Sequence, residues 1–159
     1  MNDDFKSIFQ ENLFECSKHF QKIQVARKHL ADLMPLTTED YLNINDVDMS
    51  FIDQLIFRFS KLQDSMGEKI FPFILKMAGE EVKKKTFIDI LNRLEELDIV
   101  KKNEWLRLRE IRNQIAHEYS SNTEDVVNSI VSIYNISDPL MDLHSKVLGF
   151  CKQRFGIHV

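Results

Sequence analysis

The clearest pattern in this chain lies in residues 50–66, which read SFIDQLIFRFSKLQDSM. Large apolar side chains recur there at intervals of three and four, at Phe51, Leu55, Phe59, Leu62 and Met66. That spacing places them along one side of an α-helix, whereas a half-buried strand would alternate apolar and polar residues. The stretch therefore predicts an amphipathic helix whose apolar side packs against other helices.

The same spacing continues on both sides of this helix. Upstream, an apolar stripe runs from about residue 4 to 34 and ends at Pro35, and similar stripes recur downstream to the end of the chain. With 43% apolar residues and 12 Phe, a chain of 159 residues has ample material for one core. The pattern predicts an all-α, up-and-down bundle of four to five helices, with residues 1–159 forming a single domain.

Breaks in the pattern predict where the first two helices end. Residues 36–48 are polar and aperiodic, so a long loop is expected there, and the second helix should begin near Ser50. Gly67 and Pro72 lie inside its apolar pattern and predict a bend. Residues 79–85 are expected to form a solvent-exposed connector.

The third and fourth helices are marked by residues that cap helix N-termini. Thr86, with Asp89 three positions later, predicts a capping box. Asn103 predicts the N-cap of the fourth helix, which should extend to about Tyr119. The residues of the third helix that are expected to point inward are Ile88, Leu91, Leu94 and Leu97.

A fifth helix is expected from Thr123, because Glu124 and Asp125 follow it and negative side chains suit a helix N-terminus. Pro139 interrupts the pattern that follows, so we expect a kink or the start of a new segment there.

Composition limits the classes of function. A net charge of −4 disfavours a protein that coats nucleic acid regardless of sequence. No run approaches the roughly 20 apolar residues that span a bilayer, and the first residues lack a secretory pattern, so a cytoplasmic protein without membrane contact is expected. Both cysteines fall within helical apolar patterns and should be reduced. Cys16 and His19 are spaced like half of a zinc site, but no second pair completes it, so neither a metal nor a cofactor is expected.

The most informative motif lies in residues 105–119, which read WLRLREIRNQIAHEY. On a helical wheel, one side of this segment is apolar and faces the core. Residues 101–112 hold five basic and two acidic side chains, a local positive excess that suits a phosphate site. Beside the apolar side lies a polar arc that collects Arg109, Arg112, Asn113, Ala116 and His117.

Arg112 and His117 are the candidate catalytic residues of this arc. Arginine grips a phosphate through two parallel N–H donors, and histidine exchanges protons near neutral pH. Arg109 and Asn113 are candidate supporting residues. The structural alternative is a surface arginine together with a helix-end histidine that bonds a backbone carbonyl.

Residues 112–119, RNQIAHEY, resemble the Arg-x4-His-x-Tyr signature of HEPN domains (higher eukaryotes and prokaryotes nucleotide-binding), in particular toxins paired with minimal nucleotidyltransferase antitoxins. Residues 57–67 look like the helix that precedes the signature in that group, and the resemblance covers most of residues 50–120. It implies a dimeric helical bundle that cleaves RNA without a metal, at Arg112 and His117. It also implies a type VII-like toxin–antitoxin pair, in which the antitoxin neutralises the toxin by adenylylating Tyr119.

The chemistry of metal-free RNA cleavage fits this resemblance if two chains combine. It needs a base for the 2′-hydroxyl proton, an acid for the leaving oxygen, and cations for the charge of the phosphorane. One chain offers a single suitable histidine in the arc, whereas a two-fold homodimer would bring two copies of His117 and Arg112 to one cleft. Arg109 and Asn113 would then support the pair and bind RNA.

Two other classes of function remain open at this point. One is a non-catalytic subunit that binds nucleotide or substrate for a nucleotidyltransferase complex. The other is a structural adaptor. RNA that stays intact in the presence of the purified protein would favour either of them over a ribonuclease.

Overall fold

A computed structural model describes residues 3–114 and 122–159, and over these ranges the chain is helical without strands. The all-α bundle predicted from the sequence is confirmed. None of the described helices contains a segment long and apolar enough to cross a membrane. The helices are α1 (Asp3–Leu30), α2 (Thr38–Leu42), α3 (Asp46–Ser65), α4 (Phe71–Met77), α5 (Phe87–Glu96), α6 (Lys102–Gln114) and α7 (Thr123–Phe155).

Helices α1 and α3 pack side by side in opposite directions. The side-chain amide of Gln54 donates to the carbonyl of Lys22 at 2.9 Å. Toward the other end, the ring of Phe9 stacks on Phe73 with centroids 5.4 Å apart. Phe73 belongs to α4, which continues α3 through a π-helical turn at Met66–Ile70. Because the order of contacts is reversed along the two segments, they are antiparallel.

Helix α7 also runs antiparallel to α1. Arg27 donates to the hydroxyl of Ser137 at 2.6 Å, and Phe20 stacks on His144 with centroids 4.8 Å apart. Apolar side chains from α1, α3, α4 and α7 meet in one continuous core. These three long segments hold the shorter α5 and α6 in place.

Helix α7 begins at Thr123, as predicted, with Asn122 as its N-cap. Pro139 lies inside this helix and does not begin a new segment. The carbonyl of Tyr134, five residues before the proline, accepts a hydrogen bond from the Ser137 hydroxyl at 2.7 Å. The Ser137 side chain thus bonds a backbone carbonyl in the helical turns that precede the proline.

The π-helical turn contains Gly67, one of the two residues at which a bend was predicted, and α6 packs against this turn. Trp105 of α6 is fully buried and meets the ring of Phe71 edge-on, at 4.5 Å between centroids. A Cβ on Gly67 would lie 3.1 Å from Cζ2 of Trp105. The glycine therefore allows α6 to approach α3 closely, which brings the far end of α6 beside α3 as well.

The predicted loop over residues 36–48 is wrong. The segment contains the short helix α2, and α3 begins at Asp46 rather than near Ser50. Thr37 and Asn45 cap these two helices, since each side chain accepts a hydrogen bond from the amide three residues later. Capping by short polar side chains thus starts helices in a segment whose lack of apolar periodicity suggested a loop.

The capping box at Thr86 and Asp89 is confirmed. Two other predictions in this region are wrong. Ile88 is 40% exposed, and Ile90 takes the buried position instead. Asn103 lies inside α6 rather than at its N-cap, because the helix begins one residue earlier, where the backbone amide of Lys102 donates to a carboxylate of α5 at 2.7 Å.

Candidate functional site

Arg112 lies in the last turns of α6 and reaches Asp64 on α3. Its guanidinium donates two hydrogen bonds to the carboxylate, from Nε to Oδ1 at 3.2 Å and from Nη2 to Oδ2 at 3.1 Å. This two-point contact fixes the plane of the guanidinium as well as its position. The side chains are 30% and 37% exposed, so the pair stands where the core meets solvent. Arginine carries five N–H donors, so three remain for other acceptors.

The Arg112–Asp64 pair lines a cleft of about 680 Å³ between α2, α3, α6 and α7. This volume is within the range of sites that bind small molecules or parts of larger ones. Buried isoleucines from α3 and α7 contribute apolar wall, which lowers the local dielectric around the polar groups. The polar side chains that line the cleft are Asp53, Ser60, Lys61, Asp64, Arg112 and Ser129.

Helix α3 presents an aromatic ring, a cation and a carboxylate to this cleft. Phe57, Lys61 and Asp64 are spaced by four and three residues and so share one side of the helix. Phe57 is 52% exposed, and the cationic groups of Lys61 and Arg58 lie 5.6 and 5.4 Å from its ring centroid. A nucleobase can stack on such an exposed ring, and the neighbouring cations can bind the phosphate of the same nucleotide.

Arg109 and Asn113 face a different side of α6 from the cleft. Both are exposed and line a shallow depression with neighbours from their own helix. The guanidinium carbon of Arg109 lies 4.8 Å from the ring centroid of Phe87 on α5. The structure therefore places these two side chains apart from the Arg112–Asp64 pair, and their supporting role stays a prediction.

His117 and Tyr119 lie outside the described residues, as does the end of the fourth helix that was expected to reach Tyr119. The distance between Arg112 and His117 therefore stays a prediction. Eight residues of sequence separate Gln114, the last described residue of α6, from Thr123, the first residue of α7. Both of those helices contribute residues to the cleft.

Cys16 and His19 occupy the buried side of α1 and show no sign of reactivity. Burial raises the pKa of the Cys16 thiol to about 12. Burial, together with the nearby Arg58 guanidinium, lowers the pKa of His19, whose Nδ1 lies 3.0 Å from Nη1 of Arg58. Within residues 3–114 and 122–159, no three side chains of metal-binding type converge. In the described part of the chain, the contact between His19 and Arg58 links α1 to α3.

No family model matches this chain. The comparisons with curated proteins and with solved structures find no match either. Its candidate site is therefore described by its own geometry.

Asp64 is the residue of this site that the sequence did not single out. It lies 48 positions before Arg112, and nothing in the local spacing of α3 distinguishes it from other exposed acidic residues. One signal was present in the sequence: Asp64 falls within residues 57–67, the segment that resembles the helix preceding the HEPN signature. The pairing itself depends on how α3 and α6 cross.

Proposed function

We propose that this chain is a metal-independent endoribonuclease of the HEPN type that works as a homodimer in the cytoplasm. The observation that carries the proposal is the two-point contact between Arg112 and Asp64 at a cleft to which α6 and α7, the helices on either side of His117 in the sequence, both contribute residues. The contact orients a guanidinium at the wall of this cleft. The chain then leads within five residues to the candidate proton-transfer group.

In this proposal the reaction is a transesterification within RNA. The 2′-hydroxyl attacks the adjacent phosphorus and loses its proton to one His117, and the 5′-oxygen of the next nucleotide leaves with a proton from the other. The products are a 2′,3′-cyclic phosphate and a 5′-hydroxyl end. Arg112 stabilises the extra negative charge on the phosphorane through the donors that Asp64 leaves available.

Asp64 acts as a positioning residue for Arg112. A free arginine side chain would have to lose its rotamer freedom when the phosphate binds, whereas the pair with Asp64 has already restricted it. Arg109 and Asn113 lie on a neighbouring face of α6, where they can contact RNA outside the cleft. Phe57 and Lys61 favour a single-stranded substrate, because a base in a duplex is not free to stack on a protein ring.

The proposal includes a partner that controls the activity. A cognate minimal nucleotidyltransferase transfers an adenylyl group from ATP to the hydroxyl of Tyr119, two residues after the catalytic histidine in sequence, and releases pyrophosphate, as in a type VII-like toxin–antitoxin pair. The bulk and negative charge of the adenylate would compete with RNA phosphate for Arg112. Incubation with ATP and this transferase should add the mass of one adenylate to the wild type and to Tyr41→Phe, but not to Tyr119→Phe. A mass gain in Tyr119→Phe would place the modification elsewhere.

The same Arg112–Asp64 contact also supports a second function. Because the guanidinium keeps N–H donors that can bind a phosphate, the cleft also suits a subunit that binds nucleotide or substrate for a nucleotidyltransferase without cutting RNA. Such a subunit would bind a short RNA or a nucleotide and release it unchanged.

The test is cleavage of single-stranded RNA by purified protein in excess EDTA, followed by analysis of the ends. We expect shortened RNA with cyclic phosphate ends, and a loss of at least a hundredfold in rate for Arg112→Ala and His117→Ala. Arg107→Ala is the matched control, since Arg107 is an exposed arginine on the same helix. Intact RNA with wild-type protein, or undiminished cleavage by His117→Ala of unchanged helical content, would refute the ribonuclease assignment.

A further inference from the structure

A second cavity, of about 480 Å³, lies between α1 and the C-terminal part of α7. It shares no lining residue with the cleft at Arg112. Its walls combine exposed or half-buried apolar side chains with hydroxyl and amide groups from α1. A volume of this size accommodates a small organic molecule. The residues that decide its character are Phe14, Lys18, Phe20, His144, Gly149 and Lys152.

His144 lines this cavity and has an unsatisfied ring. The residue is only 4% exposed, and neither ring nitrogen has a hydrogen-bond partner in the part of the chain that the structure describes. Burial lowers the pKa of His144 to about 4, so the ring is neutral at physiological pH and offers one donor and one acceptor. Buried polar groups in proteins nearly always have partners. The missing partner is therefore a reason to look for a ligand.

Phe20 covers the imidazole in this structure. The two rings are stacked, with centroids 4.8 Å apart and an angle of 28° between their planes. Phe20 itself is only partly buried and also lines the cavity. A shift of this one side chain would therefore open more of the His144 ring to a molecule in the cavity.

Gly149 lines the cavity and has no side chain that would fill it. The residue lies in the interior of α7, where glycine weakens a helix relative to alanine. Packing does not explain its presence, because a Cβ built at this position meets no atom within 4 Å. The missing side chain instead lets another molecule approach the backbone of α7, five residues beyond His144.

The charged side chains that line the cavity are both cationic. Lys18 on α1 and Lys152 on α7 are the only charged side chains among the described residues that line it. The ammonium of Lys18 lies 5.1 Å from the centroid of the exposed Phe14 ring. A flat apolar group placed beside this ring would have a cation within reach for an acidic substituent.

We infer that the cavity between α1 and α7 binds a small aromatic carboxylate. Its ring lies over Gly149 and against Phe14 and Phe20, and its carboxylate pairs with Lys18 and Lys152. A polar atom of the ligand completes a hydrogen bond with His144 once Phe20 shifts. This inference does not depend on the ribonuclease proposal, since the two cavities have no lining residue in common.

The test is a titration of the isotopically labelled protein with indole-3-acetate, followed by NMR of the histidine ring resonances. We expect saturable binding with a shift of the His144 resonances. The neutral analogue tryptophol, which has the same ring and a hydroxyl in place of the carboxylate, should bind at least fivefold more weakly. Equal binding of the two compounds, or no saturable binding of indole-3-acetate up to millimolar concentration, would overturn the inference.

Substitutions of Gly149 and of the two lysines test where the ligand binds. Gly149→Leu fills the cavity and should abolish binding, whereas Gly149→Ala is the matched control that changes the helix but adds only one carbon. Lys18→Gln together with Lys152→Gln should weaken indole-3-acetate at least tenfold and leave tryptophol unchanged. Binding that survives Gly149→Leu contradicts the inference. A wild-type dimer that Gly149→Leu dissociates would assign the cavity to a second copy of the chain instead.

Discussion

At the scale of single residues, the Arg112–Asp64 contact is the feature on which the proposed chemistry most depends. The two hydrogen bonds hold a cation at the cleft in one orientation. Both partners remain about one-third exposed, so solvent screens their attraction and the pair contributes little to folding stability. Its main effect is therefore geometric: it determines where the guanidinium donors point.

Replacing Asp64 tests this positioning role. Asp64→Asn should lower the turnover rate for RNA by roughly 10- to 100-fold with little change in KM, because misplaced groups lose transition-state stabilisation more than ground-state binding. The free energy of unfolding should change by less than about 1 kcal/mol. Asp64→Glu should restore part of the rate.

Asp53→Asn provides the matched control for this experiment. Asp53 is another carboxylate of α3 in the same cleft, but Arg112 is paired with Asp64. Equal rates for Asp64→Asn and Asp53→Asn would show that the contact with Arg112 has no role in cleavage.

His144 makes the stability of the protein depend on pH. In the unfolded chain its pKa is near 6.5, whereas burial lowers the pKa to about 4 in the folded protein. Between these values the unfolded state binds more protons, so the free energy of unfolding falls as the pH drops from about 6.5 to 4. The loss attributable to this one ring is about 3 kcal/mol at most.

A His144→Phe variant should remove this contribution. Urea unfolding at pH 7, 5.5 and 4.5 should give a flatter dependence of stability on pH for the variant than for the wild type. His158→Phe is the control, since His158 is exposed and its replacement should leave the wild-type slope unchanged. Parallel curves for wild type and His144→Phe would mean that other groups produce the acid sensitivity.

At the scale of helices, two glycines in helical segments differ in whether packing requires them. Gly67 lies in the π-helical turn under the buried ring of Trp105, where a Cβ would be 3.1 Å from that ring. Gly149 lies in α7 with open space around it. The first glycine is required by packing between α6 and α3, and the second is not required by any packing in the described chain.

The same substitution at these two positions should therefore have opposite effects. Gly67→Ala should lower the free energy of unfolding by about 1–3 kcal/mol, since the fully buried ring has little room to move. Gly149→Ala should raise it by up to about 1 kcal/mol, because alanine is the better helix former. Chemical denaturation of each variant measures the change in its free energy of unfolding. A destabilised Gly149→Ala would mean that something packs on that position.

At the scale of the whole molecule, the proposed reaction requires two chains. Each chain supplies one candidate proton-transfer histidine from the motif, and cleavage needs both a base and an acid. Sedimentation should therefore give twice the 18.8 kDa mass of the chain at micromolar concentration. On dilution, the rate of RNA cleavage per chain should fall together with the fraction of dimer. Full specific activity at concentrations where only monomer is present would rule out a shared site.

Most of the helical architecture follows from the sequence alone. The three-and-four spacing of Phe51, Leu55 and Phe59 is specific to a helix, and few glycines and prolines interrupt similar spacings elsewhere. The capping box at Thr86 was also predictable, because it depends on residues three apart in the chain. The sequence around α2 has no apolar periodicity, and the helix there begins at a capping side chain that apolar spacing does not reveal.

What the sequence alone determined is therefore local: helix positions from apolar spacing, a positive excess around Arg112, and the motif that ends at Tyr119. Only the tertiary structure paired Arg112 with Asp64, placed Arg109 on another face of α6, and left the His144 ring nitrogens without a hydrogen-bond partner among the described residues. The physical reason is the distance along the chain over which each kind of interaction acts. Periodicity and capping involve groups within one or two helical turns, whereas a cleft or an ion pair between distant residues depends on how the helices cross.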